Sequence, residues 1–211
     1  MDTVYLTFCD SAGRHPEKDF LHIPLASARH YSNCAIDLTY GQAFAEVEEL
    51  KTVYLQAGFG AGHRVALLLQ NRAEFLLHWF ALNSLGTGVV PVNDEMSPEE
   101  QAYIINHSEA SALVHLPELA GKVAELKPLL EHEIACQSTG QMGQLSETES
   151  VNTGEHPGLH TECAILYTSG STGKPKGCIL TNEYFLLSGR RYTELGGLCA
   201  MDSGCERLAT P

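Results

Sequence analysis

The amino-acid sequence predicts an α/β fold, a mostly parallel sheet flanked by helices, on three observations. Short apolar runs alternate with helical patterns at least three times, the order produced when parallel strands are joined by helical crossovers. The clearest run is apolar throughout rather than at every second residue, which suits a strand covered on both faces. The chain is also long enough for such a core. Its 211 residues are 44% hydrophobic and 18% charged, and a chain of this size buries about 70% of the surface its unfolded form exposes.

The first 35 or so residues carry no clear period, and residues 1–36 are read as an N-terminal arm or cap. From Thr39 the pattern turns helical. Thr39 and Gln42 are spaced as a capping box, Ala43, Val47, Leu50, Tyr54 and Ala57 share one face, and Gly58 is a natural stop. Val65 to Leu69 is the fully apolar strand, bounded by Gly62 and Asn71. Asn71 with Glu74 can then cap a helix to about Leu85, apolar nearly all round and therefore buried. Val89 to Val92 reads as a strand in which Pro91, lacking a ladder donor, argues for the end or an irregular position. Ser97-Pro98-Glu99-Glu100 joins an N-cap, a proline at the first helical position and a reciprocal acid. Ala112 to His115 is a strand, Glu118 to about Leu126 a helix and Glu133 to Cys136 a short strand, so residues 37–136 form an α/β subdomain. Residues 137–161 are read as a polar linker loop. Between Glu131 and Glu162 there are six acids and no Lys or Arg.

Charge and cysteine usage exclude several function classes. Thirteen Lys and Arg stand against 26 Asp and Glu, a net charge of −13 that repels nucleic acid and anionic membrane over most of the surface. The most apolar stretch, Phe75 to Val92, is broken by His78, Asn83, Ser84 and two glycines, and no transmembrane segment is expected. The N-terminus has no basic region followed by an apolar run, so no secretory signal is read there. Seven scattered cysteines without a Cys-x-x-Cys pair fit reduced thiols in a cytoplasmic protein rather than a disulfide framework or a zinc site. His156 and His160 are four apart, but Pro157 and Gly158 between them argue against a shared helical face, and no metal site is assigned.

The chemistry concentrates between Cys163 and Arg191, where Lys174, Lys176, Arg190 and Arg191 face one acid, Glu183, a local balance of +3. Ala164 to Tyr167 reads as a strand, Thr168 to Gly177 as a loop and Cys178 to Leu180 as a second strand. Asn182 or Thr181 caps a helix to about Leu195. Gly170, Gly173 and Gly177 let backbone N–H groups approach a ligand. Thr168, Ser169, Ser171 and Thr172 offer hydroxyls, and Lys174 and Lys176 offer positive charge. Together these suit a polyphosphate. A plain polar hairpin turn is the alternative. A Walker A loop fails on spacing, since two residues separate Gly170 from Gly173 and Pro175 follows Lys174. Gly58-Phe-Gly60-Ala-Gly62 precedes its strand, so it is not a dinucleotide fingerprint.

Tyr167-Thr-Ser-Gly-Ser-Thr-Gly-Lys-Pro-Lys-Gly177 resembles the phosphate-binding signature of the adenylate-forming superfamily, which includes acyl-CoA synthetases, luciferases and peptide-synthetase adenylation domains. The stretches Leu38 to Gly41, Gly62 to Asn71, Leu85 to Asn93 and Ser97 to Asn106 resemble it too. The resemblance implies the first subdomain of that family's large N-terminal domain, incomplete. It further implies a ligase whose substrate, a small carboxylic acid, attacks ATP to give an acyl-adenylate before a thiol, commonly that of coenzyme A, displaces AMP. Thr168 to Gly177 would hold the β- and γ-phosphates, with magnesium sharing the charge. The family's adenine contacts, acidic magnesium ligand, acyl pocket and catalytic lysine all lie downstream of this loop. Residues 162–211 are therefore read as the phosphate-loop hairpin and following helix, truncated, with no catalytic residue assignable. The chain is expected to be an N-terminal fragment, inactive alone, and either marginally stable or self-associating through an exposed sheet edge or patch. An adenylation module that loads a carrier-protein thiol, or a non-catalytic binding remnant, are the rival readings. Relatives often carry Thr-His where this chain has Thr181-Asn182, which still caps a helix.

Overall fold

The computed structural model describes residues 2–148, 156–168 and 174–196. Helix α1 (Val4–Arg14), strand β1 (Asp19–Ile23), the short helix α2 (Leu25–Ala28) and strand β2 (Ile36–Thr39) precede helix α3 (Tyr40–Gln56). Then follow β3 (Arg64–Leu68), α4 (Ala73–Ser84), β4 (Gly88–Pro91), α5 (Pro98–His107), β5 (Ala112–His115), α6 (Ala120–Leu126) and β6 (Ala135–Ser138). The hairpin β7 (Glu162–Thr168) and β8 (Lys176–Thr181) leads into α7 (Asn182–Gly196).

Six strands form one sheet in the order β6-β5-β3-β4-β7-β8, parallel except for β8, while β1 and β2 pair separately. The chain steps one way from β3 to β4 and back across β3 to β5. Right-handed crossovers therefore place α4 on one face and α5 and α6 on the other. The central strands are buried on both faces as their unbroken apolar runs require, with Val65, Ala66, Leu68, Val89, Val90, Leu113 and Val114 fully enclosed.

Both capping boxes are present, at Thr39 with Gln42 and at Ser97 with Glu100, and Ala43, Val47 and Tyr54 point into the core. Helix α4 begins differently from the expectation. Its cap is Arg72, which makes no side-chain cap bond, rather than Asn71. The chain turns at Gln70 in left-handed backbone, φ 58°, and enters the helix one residue later than the Asn71–Glu74 spacing suggests. The first residues build core: Phe8 stacks on Phe80 at 4.4 Å and meets Phe20 edge-on at 5.3 Å. Within 137–161, Gln137 and Ser138 complete β6 and Met142 is buried.

Inside the α3–α4 layer, the hydroxyl of Tyr54 lies 2.7 Å from His78 Nδ1, both side chains fully enclosed. Burial holds the Tyr54 phenol protonated and pushes His78 down to about 4, so a neutral phenol meets a neutral imidazole. On the outside, β8 is the sheet's last strand, and α7 exposes Tyr184, Leu187, Tyr192 and Leu195. The expected self-association would rest on this surface.

Candidate functional site

Strand β7 starts inside the core and ends outside it. Cys163, Ala164 and Ile165 are buried, whereas Leu166 and Thr168 are exposed, so the strand carries its following loop into solvent. Thr168 faces Lys176 across the hairpin, and Tyr167 faces Gly177. Thr168, Lys174, Lys176 and Gly177 therefore meet at this end, where the first three are exposed. Ser169, Gly170, Ser171, Thr172 and Gly173 lie outside the described residues. The described tip thus presents one hydroxyl and two ammonium groups on a chain whose total charge is −13. That local charge suits an anion.

Gly177 has a packing role beyond backbone freedom. A Cβ there would come within 2.9 Å of Ile165 Cγ2 and 3.1 Å of the Tyr167 ring, so only glycine lets Tyr167 lie across the hairpin. Helix α5 supports the same end. The Tyr103 hydroxyl donates to the Pro175 carbonyl at 3.2 Å, and Lys174 Nζ stands 5.5 Å from the Tyr103 ring centroid. One turn on, His107 Nδ1 lies 2.8 Å from the Tyr167 hydroxyl. Burial first, then Tyr103 beside it, pushes the Tyr167 phenol up, so it stays protonated. Sequence reasoning used α5 only for its N-terminal box. The signal it passed over was an aromatic and a histidine at i and i+4 in the last turns of an otherwise core-facing helix.

Two nodes, one half-buried and one buried, fix β7 and the start of α7. Arg64, at the start of β3, donates through Nε and Nη2 to both Glu162 oxygens at 2.8 and 2.9 Å. Its Nη1 reaches the Ser108 carbonyl at the end of α5 at 3.0 Å, a cation where the helix end is negative. Gly88 of β4 sits between the two strands, and any Cβ there would run into the Glu162 carboxylate. This fork, which Glu162 holds at β7 while Arg64 also grips α5, sets the spacing between hairpin and helix. It supplements a ladder in which β4 and β7 share one registered pair, Val89 with Ala164.

The second node is Asn182. It is fully buried, and its Oδ1 accepts from Val4 N at 3.0 Å and Asn83 Nδ2 at 2.9 Å while its Nδ2 donates to the Gly158 carbonyl at 3.0 Å. Asn83 in turn accepts from Tyr5 N at 2.9 Å. The expected role of Asn182 was a local cap of α7, whereas its side chain ties α1, α4 and the approach to β7 together.

A cavity of about 840 Å³ lies at the C-terminal ends of β3 and β4, lined by His30, Gln70, Arg72, Phe75 and Asp94 among others. None of its lining residues belongs to the hairpin, and its polar groups pair among themselves: Gln70 donates to Asp94 at 2.8 Å and Arg72 to Gln70 at 3.0 Å. The loop chemistry, not the volume, marks the hairpin as the candidate site. Among the described residues no three His, Cys, Asp or Glu side chains converge as a metal site, so no residue is assigned to the magnesium that the resemblance implies.

The family model described as "AMP-binding enzyme" matches residues 8–201. The chain belongs to this family. As an AMP-binding enzyme chain it is 29% identical over 164 residues to crotonobetaine/carnitine–CoA ligase of Salmonella agona (strain SL483), covering 72% of this chain and 32% of that ligase. It is 33% identical to feruloyl-CoA synthase of an Amycolatopsis species, covering 75% of this chain and 31% of the synthase. The structure of VinN in complex with 3-methylaspartate superposes with a TM-score of 0.75 at 18% identity, over 95% of this chain and 53% of that one, a likeness of fold. The chain spans about a third of the length of the curated relatives it matches. No described helix is long and apolar enough to cross a membrane.

Proposed function

We propose that this chain is the first α/β subdomain and phosphate loop of an ATP-dependent, AMP-forming acyl-CoA synthetase. In that reaction a small carboxylic acid attacks the α-phosphorus of ATP, the bond to pyrophosphate breaks, and the thiol of coenzyme A then displaces AMP from the acyl-adenylate. The observation that carries the reading is the hairpin tip. An exposed hydroxyl, Thr168, and two exposed ammonium groups, Lys174 and Lys176, stand at the end of a strand that the core and the Arg64–Glu162 fork hold in place. Their work is to fix the β- and γ-phosphates and to stabilise the charge that develops on the leaving pyrophosphate. Coenzyme A is favoured over a carrier-protein thiol because the two relatives above are themselves named for CoA thioesters. The five described cysteines are all free thiols, which supports a cytoplasmic location.

Equilibrium titration of the 211-residue chain with ATP, pyrophosphate and AMP tests this reading. A site that grips the β- and γ-phosphates binds ATP and pyrophosphate at least about tenfold more tightly than AMP, the equivalent of one charge-assisted hydrogen bond. Equal affinity for ATP and AMP, or no binding of pyrophosphate, would overturn it.

A further inference from the structure

Lys174 is the described basic side chain nearest the middle of the loop, and it rests over an aromatic face. Its Nζ lies 5.5 Å from the Tyr103 centroid, inside the range in which a ring quadrupole attracts an ammonium. Tyr103 is fixed for this purpose from two sides. Its hydroxyl donates to the carbonyl of Pro175, the residue after Lys174, and its ring lies 5.3 Å from that of His107, which holds Tyr167 on the opposite strand. Helix α5 thus grips both strands of the hairpin, and the ring that anchors one of them also occupies the lysine's charge.

We propose that the Tyr103 ring is the resting site of the Lys174 ammonium, and that a polyphosphate entering the hairpin draws Lys174 off it. The proposal rests on the phosphate-site reading above and adds a competitor within the chain. Tyr103 is a positioning residue: it touches no phosphate, and its effect on affinity runs through the lysine it releases. Because the ring competes with the ligand for one charge, removing the ring raises affinity, whereas removing a structural support would lower it. The size of an exposed cation–π contact corresponds to about a two- to fivefold change.

The test uses the full chain with its lysines reductively methylated with carbon-13, which keeps their charge, and the Lys174 signal assigned by Lys174→Arg. In the wild type the Lys174 methyl signal is expected upfield of exposed lysines through the Tyr103 ring current, and inorganic pyrophosphate moves it back. Tyr103→Leu abolishes the shift and binds pyrophosphate about two- to fivefold more tightly. Tyr103→Phe, which keeps the ring and loses only the bond to Pro175, retains the shift. Lys51, 5.0 Å from the Tyr5 centroid, keeps its own shift throughout and reports that the fold is intact. An unshifted Lys174 signal in the wild type, or loss of the shift in Tyr103→Phe, overturns the proposal. If wild type and Tyr103→Leu bind pyrophosphate equally, the phosphate site stands and the resting site falls. If neither binds, the phosphate site itself fails and this proposal falls with it.

Discussion

Asn182→Ala is expected to cost about 3 kcal/mol of folding free energy, because it removes three hydrogen bonds at once from a fully buried side chain, at about 1 kcal/mol each. Val4 N–H loses its acceptor, the Asn83 amide is left with Cys163 Sγ and the Gly158 carbonyl with Thr161 N–H. Water cannot take their place readily at a side chain that is fully enclosed. The effect should spread, because Asn83 also accepts from Tyr5 N and donates to Cys163 Sγ at 3.2 Å. The first turn of α1 should therefore loosen together with the start of β7. Asn182→Asp retains the acceptor and puts a carboxylate oxygen against Gly158 O, so it should be less stable than wild type at pH 7 and recover part of the loss as the acid protonates. Denaturant unfolding of the three proteins checks this, and a loss under about 1 kcal/mol for the alanine variant would show that the node is not structural.

Acidification should destabilise the chain through His78. Its imidazole is pushed down to about 4 by burial, against about 6.5 in an unfolded chain. Between those values the unfolded state binds a proton that the folded state refuses, so stability is complete above about pH 6.5 and falls as pH drops toward 4. The slope is about 1.4 kcal/mol per pH unit, or about 2 kcal/mol lost by pH 5. His78→Gln keeps a hydrogen-bonding partner for the Tyr54 hydroxyl and removes the titration. Its stability curve should be flatter than that of the wild type by one proton across this window, and identical slopes would contradict the Tyr54–His78 arrangement.

Much of the fold was legible because it rests on local rules. The capping boxes at Thr39 and Ser97 need only four neighbouring residues, and the strands from Val65 and from Ala112 announce themselves by uninterrupted apolar runs. The N-terminal residues were not legible for the opposite reason. Helix α1 reads VYLTFCDSAGR, mostly middling and poor helix formers, and it is held by Phe8 packing on Phe20, beyond the helix, and on Phe80, far along the chain. His78 stood out only as an interruption of an apolar stretch, since its partner Tyr54 is on another helix. The loop was legible as chemistry, through its glycines, hydroxyls and lysines. What holds the loop was not: Arg64 and Glu162 are almost a hundred residues apart, and Tyr103 and His107 meet the hairpin only after the sheet has formed.

If the end of the β7–β8 hairpin grips a polyphosphate, Lys176 is the side chain whose loss should show it. Lys176 faces Thr168 across the hairpin mouth and is exposed, so replacing it with alanine removes charge without disturbing the core. Titration of ATP into wild type and Lys176→Ala at one salt concentration should show affinity reduced by about ten- to a hundredfold, the range of one charge-assisted hydrogen bond, with an unchanged melting temperature for the free protein. Equal affinity of the two proteins for ATP would mean that the hairpin end does not hold the phosphates.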